Sequence, residues 1–455
     1  MKMNLQLLAL VAMVWLPPAP AQGAEPWTLE RAIAFALTNS PDAAVARQRI
    51  VAAQAGLEQA NAAFHPQVQF SSTYLRTDNP AAIFGHVLNQ KSFTPGLNFN
   101  DPPDIDNLNV KGAVTVPLYN GGRNVAGREA ARANVAATRE QAEAVRDALA
   151  FEVARTFYTV GKAREFIRAA ESSVRAFEAN TQIATRRFNA GTMLKAELLD
   201  VEVRLAQARE DLVRARNACA LVERALRNLL GIESGEFAVA DDVPEVNTPA
   251  ADVAALRPEL VAARQRIAAT EAEVRRARGW QRPRVNAFGS YEHDNGWEYN
   301  GSGASWTAGV MLQFDIWDGR LNRAKVNAAR AEAESVREEE RKLRLTVDFE
   351  VEQARLHLQE ADGRLAVTGK ATAQAEESRE LTRARFEQGL ALATQLIDTE
   401  TALTGARVRR AEAEADRRIA VAALRKALGL PQMESLKDQN FKLPEKHQAT
   451  NERSN

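Results

Sequence analysis

Residues 41–50 read Pro41-Asp-Ala-Ala-Val-Ala-Arg-Gln-Arg-Ile50, and nearly the same run returns as Pro258-Glu-Leu-Val-Ala-Ala-Arg-Gln-Arg-Ile267 after a shift of 217. Pro66 and Pro283 keep that shift. Self-similarity at a fixed spacing marks a duplicated architecture. Further along, Gly122-Arg123 answers Gly319-Arg320 at a shift of 197, and Phe188, Gly191 and Asp200 answer Phe386, Gly389 and Asp398 at 198. The fall from 217 to 197 places about 20 extra residues in the first half, between Thr77 and Val110. That stretch, Asp78 to Asn109, is rich in Asn, Asp, Pro and Gly and is expected to be a long exposed loop.

Each half reads as helix, strand, loop, strand, very long helix, turn and long helix. The opening helices, about 41–64 and 258–279, stop before a proline that starts a strand. Strands are expected at about 67–77, 110–119, 284–293 and 305–316. Val68, Phe70, Ser72 and Tyr74 alternate with Gln69, Ser71 and Thr73. Trp306, Ala308, Val310, Leu312, Phe314 and Ile316 form one face, with Thr307, Gly309, Gln313 and Asp315 on the other. An apolar/polar period of two over about 10 residues is what a membrane barrel strand shows, and half-buried soluble strands show it too. Helices are expected at about 123–189, 193–230, 320–387 and 392–428. No proline interrupts Arg123 to Phe188 or Arg320 to Phe386. At 1.5 Å per residue such a helix is roughly 100 Å long, which demands a coiled coil or a helical barrel, and the frequent alanines (Ala130, Ala133, Ala137) let neighbouring helices approach closely. The fold class is therefore mainly α with a small β part, duplicated. The first repeat covers 22–231, a linker 232–257, the second repeat 258–430 and a polar tail 431–455.

The N-terminus sets the compartment. Lys2, the apolar run Leu5 to Leu16 and Ala19-Pro20-Ala21 make a secretory signal peptide over residues 1–21. The apolar run falls short of the roughly 20 residues needed to span a bilayer, and no other long apolar segment follows. Any membrane insertion must then use strands closed into a barrel. Lys and Arg number 59 and Asp and Glu 59, so the balance of charge gives no reason to expect nucleic acid. The single cysteine, Cys219, rules out an intrachain disulfide and reads as a small packed side chain. His65, His86, His293, His357 and His447 lack metal-ligand spacing, and phosphate-binding glycine loops, nucleophile elbows and Cys/His pairs are missing. No cofactor and no enzymatic activity are expected.

Four strands leave two open edges, and outer-membrane barrels need about eight or more. Closure by symmetry allows a dimer with eight strands, a trimer with twelve or a tetramer with sixteen. The junctions Pro117-Leu-Tyr-Asn-Gly-Gly-Arg123 and Phe314-Asp-Ile-Trp-Asp-Gly-Arg320, with the turns Arg187-Phe-Asn-Ala-Gly191 and Arg385-Phe-Glu-Gln-Gly389, resemble those of TolC-like outer-membrane efflux proteins. The resemblance runs from about Trp27 to Leu430. It implies a homotrimer whose twelve-stranded β-barrel sits in outer-membrane lipid of a Gram-negative bacterium and continues into a periplasmic α-helical barrel. It also implies two partners, a periplasmic adaptor (membrane fusion) protein and an inner-membrane pump of RND or ABC type. The chain would be a passive duct for efflux or type I secretion. With no cysteine after the leader, a lipid anchor is not expected.

By the same resemblance the adaptor docks at the helical turns, here Gly191, Thr192 and Met193 with Gly389, Leu390 and Ala391. Acidic residues at the positions of Gln395 and Asp398 line the pore constriction, and Glu197, Asp200 and Phe386 stand at the entrance gate. This sequence departs from the pattern. Gln395 replaces one acid, and neither Phe386 nor Ala391 offers Glu197 a side-chain donor. The competing class is a secreted coiled-coil adaptor or scaffold, which would have no use for strand pairs at matched places.

Overall fold

The computed structural model describes residues 26–98, 100–234, 237–240, 248–249 and 257–433. The signal peptide lies outside them, as do most of the linker and most of the tail. In chain order the elements are α1 (Leu29–Asn39), α2 (Pro41–Ala62), β1 (Gln67–Thr77), α3 (Pro80–Asn89), β2 (Ile105–Asn120), α4 (Arg123–Asn189) and α5 (Lys195–Leu230). Then follow α6 (Pro258–Arg278), β3 (Arg284–Gly296), β4 (Gly301–Gln313), α7 (Leu321–Glu387) and α8 (Ala393–Ala427). Among the described residues no helix is long and apolar enough to cross a membrane.

The chain divides into two compact units. One holds the described residues of Leu37–Glu152, Val246–Val367 and Asp416–Asn455, including all four strands. Its sheet is antiparallel throughout, in the order β1-β2-β3-β4. The pairings Phe70↔Gly112, Gly112↔Tyr291 and Tyr291↔Trp306 carry one face across the sheet. On that face Val68, Phe70, Trp306 and Val310 are 67–77% exposed, a degree of apolar exposure that water does not tolerate over a whole sheet. The other face is polar. There Lys111 Nζ meets Glu292 Oε1 at 2.7 Å, and Asp294 Oδ1 accepts from the amides of Asn107 and Asn109 at 2.6 and 3.0 Å. Pro117, which has no amide to donate, sits where the β2–β3 register slips.

Three expectations need correction here. β2 begins at Ile105, β3 runs to Gly296 and β4 starts at Gly301, so the sheet is longer at one end than the alternation of apolar residues indicates. Most of the added residues are Asn, Asp and Gly, poor strand formers alone, and on the polar face Asn107 and Asn109 both donate to Asp294. At the other end β4 stops at Gln313, leaving Phe314 and Ile316 past the strand, 55% and 88% exposed. The stretch Asp78 to Asn109 is also no open loop. Asn79 caps α3 by accepting from the amides of Ala81 and Ala82, and Ile83, Val87 and Ile105 are fully buried against one another.

The repeat is also more regular than the sequence match suggests. Gly121 and Gly122 precede α4 with φ of 73° and 82°, and Gly319 and Arg320 precede α7 with φ of 64° and 71°. The partner of Gly122 is thus Arg320, not Gly319, and a shift of 198 holds from the junctions onward. Both long helices have 67 residues. Helix α7 begins at Leu321 because Arg320 is spent on the left-handed turn.

The second unit holds the described residues of Met1–Ala36, Val153–Glu245 and Thr368–Ala415. In it Trp27 exchanges backbone hydrogen bonds with Ala238 and Ala240 and packs against Phe35 and Phe237. Helix α1, absent from the sequence reading, buries Leu29, Ala32, Ile33 and Ala36 beside this contact.

Candidate functional site

The second unit also carries the two helical turns. Gly191 and Gly389 have φ of 69° and 79°, which lets each long helix end in a left-handed residue. Around Gly191 the amide of Thr192 bonds Arg187 O at 2.9 Å, and around Gly389 the amide of Leu390 bonds Arg385 O at 2.8 Å. The next helices start alike. Glu197 Oε2 accepts from the amide of Leu194 and Gln395 Oε1 from that of Leu392, each at 3.2 Å. Leu194 has no side-chain acceptor, so only half of a capping box is built. Glu197 and Gln395 are therefore equivalent caps, and a glutamine serves this purpose as well as an acid.

Under the turns lies a core of Phe177, Ile183, Leu198, Val201, Leu396 and Ile397, to which Phe386 and Met193 contribute buried side chains. Phe386 is 0% exposed and Met193 8%, so neither presents its side chain to a partner. Thr192, Leu390, Asp200 and Asp398 are exposed and Ala391 half-buried. What joins the turns is Arg187. It donates to Phe386 O at 3.1 Å and to Thr192 O at 3.4 Å, and its guanidinium stacks on the Phe386 ring at 4.9 Å. Sequence reading missed it, because arginine in the last turn of a helix is routine. Asn180, Glu400 and Arg379 were missed too. Glu400 is 3% exposed, accepts from Asn180 at 3.3 Å and pairs with Arg379 at 3.6 Å, two residues from the exposed Asp398.

Among the described residues no group of His, Cys, Asp and Glu is arranged to hold a metal. Cys219 is buried, and that burial, with Glu223 nearby, pushes its thiol up, away from reactivity.

A duplicated chain with an open-edged sheet, apolar on one face, and paired helices turned at left-handed glycines defines a class of membrane export protein. The chain belongs to the outer membrane efflux protein family, which it matches over residues 32–232 and 251–430. It is 28% identical to Protein CyaE of Bordetella pertussis over 338 residues, 71% of this chain and 67% of that one. It is 25% identical to the pyoverdine export outer membrane protein OpmQ of Pseudomonas putida over 417 residues, 88% of this chain and 85% of that one. Its fold is that of CusC, with a TM-score of 0.76 at 18% identity over 89% of this chain and 92% of that one. VceC of Vibrio cholerae gives 0.74 at 17% identity over 89% and 97%.

Proposed function

We propose that the protein is a passive duct across the outer membrane of a Gram-negative bacterium. Three copies close their sheets into one twelve-stranded barrel, and their long helices continue it through the periplasm. The observation that carries this reading is the sheet, apolar on one face, polar on the other and open at both edges. In lipid each unpaired peptide group costs several kcal/mol, so such a sheet needs copies of itself to insert. Light scattering on the detergent-extracted protein tests it. A three-chain mass is expected; a single-chain mass, or recovery in the soluble periplasmic fraction, rejects it.

As part of the same reading, a periplasmic adaptor seats on the turns through Gly191, Thr192, Gly389, Leu390 and Ala391, and an RND or ABC pump drives export. Three copies of Asp398 form the charged constriction, with Gln395, Glu197 and Asp200 beside it. The relative from Pseudomonas putida is named for pyoverdine export. We assign the choice of cargo to the pump.

A further inference from the structure

The segment between β1 and β2 folds onto the sheet, and three glycines say on which face. Gly303 pairs with Asp294, whose side chain belongs to the polar face. A Cβ at Gly303 would stand 1.9 Å from the carbonyl oxygen of Asn89, at the end of α3. Gly296 and Gly301 pair with one another two residues further along, so they look to the same face. There a Cβ would meet the Gln90 amide at 2.3 Å, or Gln90 and Ser92 at 2.8 Å. Gln90 itself is 0% exposed. Its Nε2 donates to Asp106 O at 2.8 Å and to Asn107 Oδ1 at 3.0 Å, and Asn107 holds Asp294. The end of α3 is therefore fixed, backbone against backbone, to the polar face beside the β3–β4 turn.

A closed barrel turns that face inward, and the turn from Gly296 to Gly301 is its rim. Twelve strands spaced about 4.8 Å apart and tilted about 40° enclose a circle roughly 24 Å across between backbones. Three helices of about 10 Å diameter side by side need roughly 22 Å. Three copies of α3 standing along the barrel axis would therefore fill most of the mouth. Ile83 and Val87 face the segment's own small core, and Phe84 and Leu88, one turn apart on the neighbouring row, are 46% and 47% exposed.

We propose that α3 is an outer constriction: in the assembled duct three copies meet in the barrel mouth, with Phe84 and Leu88 as its apolar lining, and limit the size of what leaves. The proposal rests on the trimeric-duct reading. In planar bilayers, polymers of increasing radius are added to the outer side of wild type and of a variant whose residues 81–98 are replaced by a short Gly/Ser linker. Exclusion of the larger polymers is expected from wild type and its loss from the variant. Gly303→Leu, which displaces the Asn89 carbonyl, is expected to act in the same direction. In a Cys219→Ser background, Leu88→Cys is expected to give interchain products with a short bis-maleimide. An unchanged polymer limit in a pore-forming trimer, or no product from an intact one, overturns the constriction. A protein that forms no pore fails the duct reading and takes the constriction with it.

Discussion

The guanidinium of Arg187 bonds the backbone carbonyl of Phe386, 3.1 Å away, and so fastens the first helical turn to the second. The same carbonyl accepts the amide of Gly389 at 3.0 Å, the bond that closes the second turn. Arg187→Ala removes a half-exposed charge-assisted hydrogen bond and a ring contact, together about 1–2 kcal/mol. Hydrogen exchange at Gly389 and Leu390 is expected to accelerate. Arg187→Lys is not expected to restore it, since an ammonium cannot reach both carbonyls while lying flat on the ring. Unchanged exchange in both variants would show that the turns are held some other way.

Adaptor docking is expected to depend on Leu390, 73% exposed, and on Thr192. Glu at either position should abolish export while the trimer persists. Met193 is buried, and its truncation is expected to cost stability instead. Undiminished crosslinking of Leu390→Glu to the adaptor would move the docking surface elsewhere.

Asp398 lies exposed in the first turns of α8, and three copies placed around one pore, as proposed above, would favour cations. Asp398→Ala is expected to lower cation preference in planar-bilayer recordings. Gln395→Asp should raise it even though the shorter side chain gives up the bond to the Leu392 amide, because a negative charge in the first turn is still favoured by the helix dipole. Identical selectivity in both variants would place the constriction away from this turn.

Burial raises the Asp147 carboxyl to about 6; Glu143 and Glu259 push the same way, and Arg146 and Arg257 only partly oppose them. Its folded pKa lies above its unfolded one, so the ionised form works against folding. The penalty is absent below about pH 4 and complete above about pH 7. Asp147→Asn should therefore raise thermal stability at pH 8, by an amount of order 2–3 kcal/mol, and leave it unchanged at pH 4. A gain equal at both pH values would contradict an ionisation origin.

The two strand-to-helix junctions should answer differently to substitution. A Cβ at Gly121 would sit 2.2 Å from the carbonyl oxygen of Gly279, so Gly121→Ala is expected to prevent folding of the junction and recovery from the membrane. Arg320 carries a side chain at φ of 71°, and Arg320→Gly is expected to relieve about 1 kcal/mol, read as a higher melting temperature. A lower melting temperature would mean that the arginine's own contacts outweigh the strain.

The sequence made the repeat, the strands and the turns readable because each rests on a local rule: a period of two, a proline-free run, a glycine at a helix end. Helix α3 was hidden by averaging. Taken over 78–109 the composition is that of a loop, although Asn79-Pro80 followed by Ile83, Phe84, Val87 and Leu88 is a capped amphipathic start. The junction pairing was misjudged by one residue because identity matches glycine to glycine, while the backbone matches one left-handed position to another whatever residue fills it. At the entrance, the resemblance directs attention to Glu197 and to the donors that Phe386 and Ala391 do not offer it. Which carbonyl Arg187 would take instead depends on two segments far apart in the chain, and no local pattern encodes that.

The unmet outer edges of β1 and β4 also bear on inheritance. In the proposed ring each chain supplies one edge to a neighbour on either side, so a chain spoiled at one edge would damage the ring it enters as well as itself. In a cell making sound and edge-defective chains in equal amounts, random mixing in threes leaves about one ring in eight free of defects. A lesion in β1 or β4 should therefore behave as a dominant allele, while one that stops the chain from folding at all should be recessive.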